Sequence, residues 1–597
     1  MKKAKLSNDT QIARQMNMAL AAEVGSEPEN MEHVLDVLAE SGFVLANLNP
    51  STEGYFYVWE KKSNQIMLMD SDFNVYYNSA RYDENNWTLW AAVSRGSAAE
   101  ALQKADVAVN WYVAEAITAD VSLNYVADFI VAEGMTFNGN VTMAGNNGAD
   151  AIVQGSVNGT LCINNANAAV THRGTVDKVD IIAVKGNSYH EEGCVKKAIS
   201  IAEGRLVIEE SAFVSSVSVV AAPAGAAKSV AIETNSVVSA PVVKVETPDA
   251  SVTVTKSEDS AGVFVEGGNS GNVTAPEGSG KIEIASVADF MPYLDDTMQT
   301  LAGDYYFVLT GDVEVPGTII IGEETNAVLD LNGHTLSAAL KQAGRHYYVI
   351  DNYGKITIND FSSGETGAVR GRGIENFGVM TINGGTFYSV DQNGGAAVWN
   401  EADLTVNGGS FKTEYVGNPS DNSGPGCLNS SGRAFIYAGK FESVNRRTYS
   451  IISTGEIIIT PAADEDVIVT GAHGALSSDG GMAAVYGGIY TSSDYYGLYV
   501  SNDGTGGVSE IAAVMVYGGV FTGKTYSVWI GSDVNESVNS TIKILGGTFN
   551  NPINAQLNTV GNVMIAEGGK FTEIEDRYIA LGFKKVQKDG YFHIVKD

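Results

Sequence analysis

Three arrangements in this chain bring together residue types that do chemistry. In the first, His473 stands beside Gly474 in GAHGALSS, and Asp464, Glu465 and Asp466 precede it. Cleaving a glycosidic bond takes two carboxylates about 5–10 Å apart, one to protonate the leaving oxygen and one to attack or to activate water. These three acids lie in one run rather than at equal phase on successive strands, so a turn histidine is the expected role of His473. The second is a set of bases, Arg345, Arg370, Arg372, Arg433, Arg446 and Arg447, from which a lyase would draw its arginine beside a cation held by clustered acids. Only Arg370 and Arg372 fall close together, and the acids of the region (Asp391, Glu401, Asp403, Asp421) are scattered singly, as on a solvated face. The third is aromatic: Trp399, Tyr499 and Trp529 fall at about the same phase, in AAVWNEA, GLYVSND and YSVWIGSD. Facing outward they would stack on sugar rings; facing inward they would be core stacks, the commoner arrangement.

Other chemistry lacks its motif. The seven histidines (His33, His172, His190, His334, His346, His473, His593) are dispersed, and there is no HExxH, CxxC, GGxGxD, GxxxxGK[ST] or GxSxG. We expect no catalytic residue, no metal and no cofactor. Of the cysteines, Cys162, Cys194 and Cys427, only the first two would make a pair, and all three read more simply as small buried residues.

The 66 glycines and 12 prolines in 597 residues, with no Gly-X-Y period, exclude collagen. A hydrophobic content of 44% excludes wholesale disorder. The net charge of −33, from 37 basic and 70 acidic residues, repels phosphate backbones and anionic lipid, so no nucleic-acid partner is expected. No run approaches ~20 apolar residues, and the start MKKAKLSNDTQ lacks the apolar core of a signal peptide.

Residues 4–24 read as a helix with Leu6, Ile12, Met16 and Leu20 near one face. A second helix carries Met31, Val34, Leu35 and Leu38, with Ser26 and Glu29 as a capping box and Gly42 as its stop. Strand-like runs follow at 55–59, 65–69 and 74–77. From 121 to 281, short β-branched runs recur every 10–12 residues with few aromatics, which predicts a slim β-solenoid. Ser286 opens an amphipathic helix over 286–301 (Val287, Phe290, Leu294, Met298, Leu301), interrupted by Pro292 and placed to cap a second solenoid.

The strongest signal is a Gly-Gly-x-aromatic unit ending at Phe387, Phe411, Tyr490, Phe521, Phe549 and Phe571, with a degenerate copy at Phe441. Steps of 24, 30, 49, 31, 28 and 22 residues fit coils of a right-handed parallel β-helix, and the 49 hides a coil near 467–469, with Gly471-Ala472 in place of Gly-Gly. The second glycine turns the corner at φ > 0 and the aromatic packs inward. Asn332, Asn352, Asn376, Asn400 and Asn429 are expected to form amide ladders. Asp589-Gly590 marks a hairpin closing the end.

The stretches KKAKLSNDTQIARQMNMAL, PENMEHVLDVLAESGF and GYFYVWEKKSNQIMLMD resemble type IV pilin-like proteins of Gram-positive bacteria, without the family's leader, processing site and apolar helix. The resemblance implies an α+β pilin-like head over 1–118 whose helix packs on neighbouring subunits through Leu6, Ile12 and Met16. The remaining expected modules are a slim solenoid over 119–282, the capped β-helix over 283–575 and a closing hairpin over 576–597. The expectation is a mainly β, non-enzymatic, extracellular cell-surface subunit, structural or adhesive. Its partners would be other filament subunits, itself or carbohydrate, and it would meet a membrane only through a segment absent from this chain. The alternatives are a β-helix polysaccharide lyase or glycoside hydrolase, and a phage receptor-binding appendage.

Overall fold

A computed structural model describes residues 2–23, 28–44, 48–70, 72, 74–77, 87–94, 99–100, 102–104, 108–145, 147–148, 150–184, 189–222, 229–268, 272–294, 300–341, 346–390, 395–414, 426–444, 448–461, 466–501, 512–531, 540–555 and 563–597. The chain is mainly β, 54% strand and 9% helix. It divides into two compact units, Met1–Glu277 and Gly278–Asp597. No helix among the described residues is long and apolar enough to cross a membrane.

The first unit opens with helix α1 (Lys2–Ala22), which buries Ala13, Met16 and Leu20 in a cluster with Tyr57, Trp59, Ile66 and Leu68. Two polar side chains fix its docking. Asn17 accepts from the Ile66 N–H at 2.8 Å and donates to the Ile66 carbonyl at 2.8 Å. Asp9, fully buried, accepts from the N–H groups and hydroxyls of Ser51 and Thr52 at 2.5–3.0 Å. The filament role expected of Leu6, Ile12 and Met16 meets a physical obstacle here: Met16 is 0% exposed, and Leu6 and Ile12 pack half-buried against the same intramolecular cluster. Helix α2 (Met31–Glu40) starts later than expected. Its N-cap is Asn30, whose Oδ1 accepts from the His33 N–H at 2.9 Å; Ser26 lies outside the described residues. Gly42 stops it at φ +88°.

Strands 55–60, 65–70 and 75–77 pair antiparallel. Leu89–Val93 then pairs antiparallel with 55–60 on one side and parallel with Val109–Val113 on the other. From that strand onward every ladder of this unit among the described residues is parallel, so the sheet of the N-terminal α+β region passes unbroken into the coils beyond 118. Two runs expected as separate strands, 151–153 and 161–163, belong to one strand, Asp150–Asn165, and the next coil repeats it as Ala169–Val184. Bulges let a single strand turn through more than one face. Inward rows are small side chains in register, such as Val157, Val176, Val195 and Val214. None of Cys162, Cys194 and Cys427 is in a disulfide.

In the second unit the α-helix is shorter than the spacing predicted. Ser286 and Asp289 form a capping box on α3 (Val287–Phe290), and the chain tightens to a 3₁₀ turn at Met291–Tyr293, because Pro292 cannot continue the helix. Leu301 is therefore a strand residue, buried with Phe290 in the core, and Met298 lies outside the described residues. The chain then cycles through three parallel sheets. Among the described residues face I has 12 strands from 281–284 to 563–566. Face II has 13, from 313–315 to 570–571 plus the closing hairpin, and face III has 11, from 300–301 to 553–555. Each strand pairs with its equivalent one coil on, which is the connectivity of a parallel β-solenoid.

Sequence dictates this geometry at the corners. The second glycine of each repeat has φ between +91° and +132°, at Gly385, Gly409, Gly439, Gly488, Gly519, Gly547 and Gly569. The following aromatics stack inside face II: Phe387–Phe411 at 5.1 Å, Phe411–Phe441 at 4.6 Å, Tyr490–Phe521 at 4.7 Å, Phe521–Phe549 at 5.2 Å and Phe549–Phe571 at 4.6 Å. Val469 fills the gap between Phe441 and Tyr490. Its corner is not Gly471-Ala472, since Gly471 pairs with Ser443 and Ser492 at the strand's far end; Val467 stands opposite Gly439 instead.

Two amide ladders run along the coils, the first buried and the second half-buried at Asn383 and Asn407. Asn352 donates to Asn376 and Asn376 to Asn400, each at 2.7 Å, and Asn400 to Ser430 at 2.9 Å. A second joins Asn407, Asn383 and Asn359 at 2.7 Å per step. Asn429 and Asn332 stand outside both. Asn429 faces outward and accepts from the Gly426 N–H, and Asn332, at φ +45°, donates to the Leu309 carbonyl. At the end, Tyr591–Lys596 pairs antiparallel with the last coil, and Phe583–Lys588 forms an edge strand guarded by three lysines.

Candidate functional site

Strand alternation on face III decides which way the aromatic candidates point. Leu498 and Val500 are buried on either side of Tyr499, as are Val528 and Ile530 around Trp529 and Val398 and Asn400 around Trp399. All three rings therefore face outward and are half-buried; the inward reading, the commoner one, does not hold. Tyr499 and Trp529 are register partners on adjacent coils. Trp399 is four coils away, through Asn429, Ile452 and Ser477, and donates from Nε1 to Glu401 at 3.1 Å.

Around Tyr499 and Trp529 a continuous aromatic surface forms. Tyr496 lies 5.5 Å from Tyr499 and 5.7 Å from Trp529. Tyr526 is 5.1 Å from Trp529. Tyr449 stacks on Tyr499 at 5.2 Å from two coils away. It reaches across because the residue between is Gly474, where a Cβ would fall 2.2 Å from the Tyr449 ring. His473 stands edge-on to Tyr449 at 5.3 Å and 4.6 Å from Tyr495. It is thus part of this surface, as the turn residue it was expected to be. Asp466 lines a trough along the glycine corners, and Asp464 and Glu465 lie outside the described residues. The missed rings had a signal: Tyr496 and Tyr526 each stand three residues before the chosen one, in YGLY and YSVW.

The same outward row holds a second group. Asp351, Glu375 and Trp399 occupy one position on three consecutive coils. Elsewhere an acid faces a base one coil away, as Asp403 does Arg433 at 3.0 Å and Glu567 does Lys543 at 3.0 Å. Like charges directly opposite destabilise a ladder, so this pair is an exception to the scattered acids expected. Burial and the Glu375 charge push the Asp351 carboxyl up to about 6, against the opposing field of Lys341. Burial also raises Glu375, opposed by a hydrogen bond from Tyr348 and the charge of Arg372. Arg372 and Arg370 are engaged with rings, at 4.5 Å from Tyr348 and 5.1 Å from Tyr388. Arg345, Arg446, Arg447, Asp391 and Asp421 lie outside the described residues. Among the described residues no three His, Cys, Asp or Glu side chains are placed to hold a metal ion.

No protein-family model, no curated protein and no solved structure matches this chain.

Proposed function

We propose that this protein is an extracellular structural or adhesive subunit, non-enzymatic, that displays a right-handed parallel β-helix to glycans, with its N-terminal α+β region as a pilin-like head. One observation carries the reading: the outward aromatic surface of face III, from Tyr449 to Trp529, on a parallel scaffold that holds its rings in register. Sugar rings present flat C–H faces that stack on such rings, and the flanking hydroxyls of tyrosine supply hydrogen bonds. If the head joins a filament, helix α1 contributes its exposed side, where Met18 is 72% exposed, and not the side holding Met16.

The test is binding of the full chain to a panel of soluble neutral and acidic glycans. Tyr499→Ala with Trp529→Ala is expected to weaken any binder at least tenfold, about 1.4 kcal/mol, while Trp399→Ala has little effect. Unchanged binding in the double variant, or no binder in the panel, refutes the proposal. The Asp351–Glu375 pair favours a second reading, cleavage of a glycan lying along face III, since neighbouring strands about 4.8 Å apart suit a retaining carboxylate pair. Release of reducing ends that Glu375→Gln abolishes would establish that reading over the first.

A further inference from the structure

In the first unit's solenoid three polar side chains from three consecutive coils meet: Asn158, Asp177 and Lys196. The side chains of Lys196 and Asp177 are 2% and 3% exposed. Lys196 Nζ lies 3.0 Å from Asp177 Oδ1 and donates to Asn158 Oδ1 at 3.1 Å. Local irregularity places them, because the register shifts between Val157 and Thr160 and again between Val176 and Lys178, breaking the simple in–out alternation at this corner. The neighbouring inward row is Val157, Val176 and Val195, each 0% exposed.

Taking two charges out of water costs several kcal/mol per ion, and nothing in a valine-lined interior needs an amine. The three groups do match the parts of an amide exchange: a nucleophilic amine, a carboxamide beside it, and a carboxyl in contact with the amine to move protons. Held together by the coils, they need no encounter, which is the largest saving such a reaction has. Asn158 Nδ2 donates to Asn138 Oδ1 at 3.1 Å, so the nitrogen that would leave is held apart from the attacking amine.

We propose that Lys196 and Asn158 are joined in the folded chain by an isopeptide bond, with Asp177 as the catalytic acid–base. Asp177 takes a proton from the Lys196 ammonium. The neutral Nζ attacks Cγ of Asn158, forming the Nζ–Cγ bond and moving the carbonyl electron pair to Oδ1. Asp177 passes its proton to Nδ2, the electron pair returns, the Cγ–Nδ2 bond breaks, and ammonia leaves. Asp177 then accepts the second proton of Nζ and releases it to solvent, where it makes ammonium. Amine plus carboxamide becomes amide plus ammonia, with no oxidant, metal or cofactor. The product ties three coils covalently, from residue 158 across the coil of Asp177 to residue 196.

Intact mass spectrometry of the denatured full chain tests this. The expected result is a mass one ammonia below that of the sequence, with a branched peptide joining the Asn158 and Lys196 segments after digestion. Lys196→Met and Asp177→Asn are expected to keep the full sequence mass and yield no branched peptide. Wild-type protein at full sequence mass refutes the proposal without reference to any variant. Asn158 precedes Gly159, a pair that can close to a succinimide with the same ammonia loss. A lighter protein that lacks the branched peptide and opens to aspartate in mild base therefore also refutes it. A branched peptide that persists in Asp177→Asn refutes the role given to Asp177.

Discussion

Replacing Glu191 with alanine should loosen the middle of the first solenoid by about 4 kcal/mol, and the figure follows from three contacts. Glu191 is 0% exposed and lies in an inward row between His172 and Ile208. His172 Nδ1 is 2.7 Å from Oε1, the Gly193 N–H donates to Oε1 at 2.8 Å, and the Tyr189 hydroxyl donates to Oε2 at 3.1 Å. His172 and Tyr189 are also 0% exposed, so water does not replace what alanine removes. Each stranded buried group costs about 1–3 kcal/mol, and breaking a buried pair by deleting one partner costs about 3–5 kcal/mol in total as neighbours relax. Hydrogen exchange read at 189–191 and 206–208 should then accelerate about a thousandfold, at 1.4 kcal/mol per factor of ten. Replacing both partners, His172→Leu with Glu191→Leu, removes the stranded imidazole but still leaves the Tyr189 hydroxyl and the Gly193 N–H without their acceptor, so exchange should slow about tenfold from the single variant without returning to the parent. A single-variant effect below about 1 kcal/mol would show that the pair does not hold these coils, as would a double variant as loose as the single one.

Three further outcomes follow from the second unit. Gly409→Ala should lower the unit's thermal stability by at least about 1–2 kcal/mol, because alanine at φ +103° is strained and its Cβ would sit 2.9 Å from the Gly385 carbonyl; Gly384→Ala, with nothing nearer than 3.6 Å, is the near-neutral control. Asn376→Ala should cost about 2–4 kcal/mol in urea unfolding. It deletes donors to Asn400 and the Asp403 carbonyl at 2.7 and 2.9 Å and leaves the Asn352 amide only its bond to the Val379 carbonyl at 3.1 Å. Asp351, whose carboxyl is raised to about 6 when folded, binds its proton more tightly folded than unfolded. Stability is therefore lost as pH rises from about 4 through 6, and Asp351→Asn should be the more stable protein above pH 6 by about 1 kcal/mol, discounted for the site's partial exposure, and equal to the parent below pH 4. Paired thermal melts at pH 3.5 and 7.5 read this directly.

Much of the architecture was legible because a solenoid repeats its physics locally. Gly408-Gly409-Ser410-Phe411 states a positive-φ corner and an inward ring within four residues, and six more copies give the coil spacing. Pro292 likewise announced the interruption that ends α3. The face III surface was only partly legible. Trp399, Tyr499 and Trp529 share a phase, but strands of only three to six residues between corners leave too little alternation to say which side is in. Asp351 and Glu375 looked scattered because 24 positions separate them along the chain; only the register of face III sets them side by side.

The sequence by itself determined that the chain is β-rich and built of coils, where the corners fall, and that an aromatic stacks behind each Gly-Gly, because those properties depend on contacts within one coil or between equivalent positions. Tertiary structure alone decided what depends on register between unlike positions. Tyr449 lies across the gap left by Gly474, two acids face each other without a base between them, Met16 is buried in the N-terminal cluster, and Lys196 meets Asn158 across two coils. Bulges and unequal coil lengths shift that register by single residues, and a one-residue shift in a strand turns a side chain from the core to the surface.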